Sequence, residues 1–65
     1  MTDRIYELAD AWKLAIRREQ DAHDFYTKMA HSAEDAAARE FFESLASEEL
    51  RHKESDRLAA VARLA

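Results

Sequence analysis

Glycine and proline are both missing from this 65-residue chain, which removes the two residues that most readily turn, bulge or break a regular element. Of what remains, 48% is apolar and 37% is charged, a balance that suits long amphipathic helices and leaves little room for strands or tight turns. The sequence therefore reads as all-α. Cysteine is also absent, so there is no disulfide framework and no thiolate metal site. A domain this short buries only about 60% of the surface its unfolded chain exposes. Chains of this kind commonly recruit a metal or a second subunit.

The apolar pattern sets out two helices. Ile5, Leu8, Trp12, Ala15, Glu19, Ala22, Tyr26 and Met29 recur in steps of three and four, with Ile16 and Ala30 widening the stripe. This spacing predicts a first helix over about residues 3–31. In the following "HSAEDAAAR", Ser32 or Asp35 can accept a hydrogen bond from the free amides of a new helix, and Asp35 is the better placed. The pattern resumes at Ala38, Phe41, Phe42, Leu45, Glu49, His52, Ser55 or Asp56, Ala59 and Ala62, predicting a second helix over about 36–64 that ends on "VARLA" without a C-cap signal. Two such helices joined by a short loop form an antiparallel hairpin, a single domain over 1–65 with one apolar face left open. Pairing two hairpins about a two-fold axis covers both faces and yields a four-helix bundle, so a homodimer or a higher homo-oligomer is expected.

Charge narrows the function. The net charge is −4, and the basic residues are scattered among acids, which argues against nucleic acid and anionic membranes as partners. No apolar run approaches the roughly 20 residues a bilayer span needs, and "MTDRIYELAD" lacks the basic start and apolar run of a signal peptide. A cytoplasmic protein is expected.

Three polar residues then stand out because they occupy seam positions: Glu19 in the first helix, Glu49 and His52 in the second. Glu19 lies about 12 residues before the turn and Glu49 about 13 after it, which at about 1.5 Å per residue puts both at one level, roughly 18 to 20 Å from the turn. Bare charges inside a bundle cost several kcal/mol each even after relaxation. A cation among them removes that cost. One Glu per helix on one pair of helices plus Glu-x-x-His on the other pair is the donor pattern of di-iron and di-manganese carboxylate bundles, and two copies of this hairpin supply it. Oxygen and nitrogen donors without thiolate suit Fe(II), Mn(II) or Zn(II). Glu-x-x-His by itself is weak, since this Glu content produces it by chance; Glu19 at matching depth strengthens it.

The stretches "AIRREQDAHDFYTKMA", with Tyr26 seven residues after Glu19, and "FFESLASEELRH" make the chain resemble one half of a rubrerythrin-type, ferritin-like domain. A full domain of that kind holds two ligand-bearing halves in one chain, so the chain is more similar to two-helix ferritin-like proteins, including encapsulated ferritins, which build the site between subunits. The resemblance implies Glu19, Glu49 and His52 as both catalytic and metal-binding residues, with iron as cofactor, two per dimer, and Mn or Zn as substitutes. It implies a ferroxidase in iron storage or detoxification that uses Fe(II) with O2 or peroxide. The resemblance to encapsulated ferritins adds an encapsulin shell as partner and a protein nanocompartment as location, though the Gly-containing tail such cargo often carries is missing. Peroxide reduction of the rubrerythrin kind is the alternative.

Other residues keep two readings. Tyr26 either donates to a ligand carboxylate or fills the core. Glu48 either orients the imidazole of a partner's His52 or is a solvated acid. His23, one turn after Glu19, is either a supplementary ligand or an edge histidine, and His31 suits the helix C-terminus. A metal-free dimerisation hairpin with paired buried acids is the non-enzymatic alternative for the whole chain.

Overall fold

The computed structural model describes residues 3–64, and side chains from 7 to 63. Helix α1 runs Asp3–Ser32 and helix α2 runs Ala36–Leu64. They lie antiparallel in a rod of 53 × 16 × 9 Å. Ile5, the first expected seam residue, has its side chain outside those described.

The turn forms without glycine, as the composition requires. Among the described residues no backbone φ is positive. Ala33 N donates to Ala30 O at 3.3 Å, continuing α1 by a tightened last turn, and the Arg39 guanidinium donates to Ala33 O at 3.4 Å. Asp35 then starts α2 as predicted: its Oδ1 accepts from Ala38 N at 2.7 Å, and its carbonyl accepts from Arg39 N at 3.1 Å. This carboxylate offsets one of the four free amides at the helix start.

The two most enclosed residues lie between the helices: Ala30, close to the turn, is 3% exposed, and Ala46, one helical turn before Glu49, is 7%. Small side chains here let the helices approach closely. An aromatic row lies beside them. Tyr26 stacks on Phe42 with centroids 6.5 Å apart, while Phe25 meets Tyr26 edge-on at 5.6 Å and Phe41 meets Phe42 edge-on at 5.5 Å.

Helix α1 presents the predicted stripe: Trp12, Ala15, Ile16, Glu19, Ala22, Tyr26 and Met29 are half-buried, with Leu8 exposed toward the open end. Helix α2 departs from expectation. The residues it turns toward α1 are Phe42, Ala46, Glu49, Lys53, Asp56 and Ala60, whereas Phe41, His52, Ser55, Ala59 and Ala62 are exposed. The observed line keeps the alternating four- and three-residue steps of the expected one and shares Phe42, Glu49 and Asp56 with it, but Lys53 and Ala60 take the places expected for His52 and Ala59, one residue later along the helix.

The displaced residues define a side of the hairpin. Phe25, Phe41 and His52 each precede an inward residue by one position (Tyr26, Phe42 and Lys53). In antiparallel helices this one-residue step turns all three side chains toward the same side. Phe25 is 57% exposed and Phe41 60%. The whole chain exposes 5376 Å², against about 4,250 Å² for a compact protein of its mass, an excess of roughly 1,100 Å².

Candidate metal centre

Glu19, Glu49 and His52 converge as the sequence predicts. One ligand atom from each lies within 4.8 Å of the others. Glu49 and His52 stand one turn apart on α2, and Glu19 reaches them from the middle of α1. Both glutamates are half-buried and His52 is exposed. The triad is thus an open niche: His52 is exposed although one of its ring nitrogens lies with the two carboxylates.

The opposite side is closed. Lys53 Nζ donates to Gln20 Oε1 across the helices, Gln20 Nε2 donates to Asp24 Oδ1 at 2.9 Å, and His23 Nδ1 lies 3.2 Å from the same oxygen. Lys53 can sit inward because its methylene stem packs while its ammonium finds an amide oxygen. This chain fixes the helices at the register where Glu19 faces Glu49 and His52. It also holds the Asp24 carboxyl below its usual range, through Gln20 first and His23 second.

Glu19 has the opposite electrostatics. Its carboxyl is pushed above the ordinary glutamate value, first by burial and then by the Asp56 carboxyl lying against it; His52 works against the rise and Glu49 adds to it. Its Oε1 is buried without any hydrogen-bond partner.

These features fit a metal ion. An ion bonded at about 2.1 Å to each donor holds those donors within about 4.2 Å of one another, and small side-chain rotations close 4.8 Å to that. The orphaned Glu19 oxygen gains a partner, and the mixed oxygen–nitrogen set suits Fe(II), Mn(II) or Zn(II).

The other predicted residues are placed as follows. The Tyr26 ring packs on Phe42, the core-filling position. His23 is half-buried and engaged with Asp24 on the closed side, away from the exposed imidazole of His52. Glu48 is exposed and lines an outward polar groove with Glu40, Glu43, Ser44, Ser47 and Arg51. His31 lies in the last turn of α1. Sequence reasoning left Asp56 among the seam residues and assigned it no chemistry. The available signal was its spacing, seven after Glu49 and four after His52, which keeps it on the same stripe.

No helix among the described residues is long and apolar enough to cross a membrane. A family model described as Rubrerythrin matches residues 1–60. No curated protein and no solved structure matches the chain.

Proposed function

From a chain that belongs to the rubrerythrin family, within the ferritin-like superfamily, we propose that two copies pair through their Phe25–Phe41–His52 sides and oxidise ferrous iron at a site they share. The convergence of Glu19, Glu49 and His52 beside an uncovered apolar side carries this reading. Two further points support it. The excess exposure of roughly 1,100 Å² is of the order a standard interface covers on each partner, about 800 Å². Pairing also encloses His52, whose exposure is otherwise at odds with an imidazole ligand in a carboxylate niche.

Each subunit would supply Glu19 and Glu49 as carboxylate donors and His52 as the nitrogen donor. Bound iron would supply one-electron redox chemistry, and Mn or Zn fit the same donors. Each ferrous ion gives up one electron, and dioxygen accepts two electrons and two protons to leave as hydrogen peroxide. The protein's part is to hold two ions together, so that both electrons leave in one encounter, and to accommodate the added charge with carboxylates that change binding mode. Family membership also favours peroxide as the oxidant, which accepts two electrons and two protons to give two waters.

The test is an anaerobic Fe(II) titration of the purified protein, followed by admission of air and near-ultraviolet absorbance. Saturation near two irons per dimer with rapid ferric growth is expected, and Glu49→Ala should lose both. Absence of stoichiometric binding in the unaltered protein would sink the ferroxidase reading and leave a metal-free dimerisation hairpin.

A further inference from the structure

We propose that the hairpin carries a second binding site, independent of the metal centre: a groove toward its open end that takes a free medium-chain fatty carboxylate. The groove encloses about 400 Å³ between α1 and α2, within the range of about 300–1,000 Å³ that small-molecule sites occupy. Five apolar side chains line it, of which Trp12, Ile16 and Val61 are the largest, together with Lys13 and Arg57. Val61 is 61% exposed, so part of this apolar wall meets water in the single hairpin.

The helix register places the groove. Ile16 stands four residues before Gln20 and Arg57 four after Lys53, so both lie one turn beyond the Gln20–Lys53 bond, on the same side of the hairpin. Gln20 and Arg57 each follow an inward residue, Glu19 and Asp56, whereas Phe25, Phe41 and His52 each precede one. The groove therefore faces away from those three, and pairing through them leaves it open.

Charge selects the occupant. The chain has 14 acidic residues against 10 Lys and Arg, yet no acid lines the groove and both of its charged members are basic. Lys13 comes from α1 and Arg57 from α2, so the two positive charges stand on opposite walls. Among the described residues Lys13 forms no ion pair. Arg57 holds Glu54 through Nη2 at 2.8 Å and Nε at 3.3 Å, an exposed pair of small net value that leaves the two N–H donors of Nη1 for another acceptor. A carboxylate between Lys13 and Nη1 gains charge-assisted hydrogen bonds, while its alkyl chain covers Trp12, Ile16 and Val61. Along α1 the lining runs from Ala9 to Ile16, a rise of about 10 Å, which suits a medium chain. A neutral chain forgoes the head-group bonds, and an alkyl cation meets like charge.

Trp12 is the only tryptophan of the chain, so its fluorescence reports occupancy of the groove directly. The probe is decanoate, titrated into the whole protein below the concentration at which it forms micelles. A saturable change at one decanoate per chain is expected. 1-Decanol and decyltrimethylammonium should bind at least about 10-fold more weakly, the scale of one hydrogen bond to a charged group, and octanoate more weakly by up to about 4-fold for each methylene lost. Lys13→Gln should weaken decanoate about 10-fold and leave decanol unchanged. Ala60→Leu, which fills the groove, should weaken both; Ala9→Leu replaces it if circular dichroism shows that variant has lost its helices. Glu49→Ala should bind decanoate as the unaltered protein does, so failure of the metal centre and failure of the groove are read separately. Absence of a saturable change in the unaltered protein overturns the proposal, as does equal affinity for decanoate and decanol. No decanoate binding, with Ala60→Leu lowering the oligomeric state in sedimentation, also overturns it and gives the groove to contact between copies of the chain.

Discussion

Around the turn, Ala30 is almost fully enclosed, Asp35 caps α2, and the aromatic rings from Phe25 to Phe41 pack together; at the level roughly 18 to 20 Å from the turn, Glu19 keeps a buried oxygen without a partner and His52 is exposed. The first region satisfies its own polar groups and fills its own space. The second assembles donors and leaves them unsatisfied. The contrast shows how so short a chain divides its tasks: the turn sets the alignment of the helices, and the mid-section uses that alignment to bring Glu19, Glu49 and His52 together. Lys53 and Gln20 sit between the two roles, since their bond resists sliding of one helix past the other at the level of the site.

Three substitutions sharpen this comparison. The largest effect is expected at Ala30, the most enclosed residue at 3% exposure. Replacing it with Leu forces extra methylenes between the helices near the turn and should cost about 1–3 kcal/mol, measured by urea unfolding, with the same loss in the presence and absence of metal. A neutral result would mean that the turn end is loosely packed and that the contrast drawn above is misplaced.

Asp35→Ala should cost about 1 kcal/mol by freeing the Ala38 amide at the start of α2. Thermal unfolding checks it, and Asp35→Ser, which keeps an accepting oxygen, should recover most of the loss. If Ser gives no recovery, the carboxylate acts by charge rather than as a cap.

The smallest effect, and one of opposite sign, is expected at Glu19 in metal-free protein. Its folded-state value lies above the unfolded one, so folding favours the protonated form. Stability should therefore be greatest below the unfolded glutamate value of 4.5 and decline as pH rises from there through the folded value. Glu19→Gln should flatten that decline and make the metal-free protein slightly more stable near neutrality, while abolishing metal binding. Denaturant midpoints measured across pH without metal decide this; a Gln variant that is less stable at neutral pH would show that Glu19 has a favourable partner.

Much of the hairpin was legible in the residue pattern. Loss of Gly and Pro, a stripe that repeats through Tyr26 and Met29, and Asp35 ahead of three alanines gave helix ends within about one residue of those observed. The triad was legible as well, because Glu19, Glu49 and His52 interrupt otherwise apolar stripes at equal distance from the turn. Less legible was how α2 divides its residues between α1 and the open side. A heptad reading placed Phe41, His52 and Ala59 inward, yet Lys53 and Ala60 occupy those inward places. An apolar stripe wide enough for two contacts cannot tell which of its edges meets which neighbour, and a lysine hides its packing stem behind a charge.

The period and composition of the chain by themselves determined two helices, their approximate ends and the three donors at one level, since these follow from local backbone preferences and fixed helical rise. Only the tertiary structure decided that Asp56 joins Glu19, that His52 stands on the uncovered side, and that Gln20 and Lys53 seal the other. Those outcomes depend on the rotation of one helix against another, which is set by contacts between the helices such as the stacking of Tyr26 on Phe42, and no count along a single helix contains it.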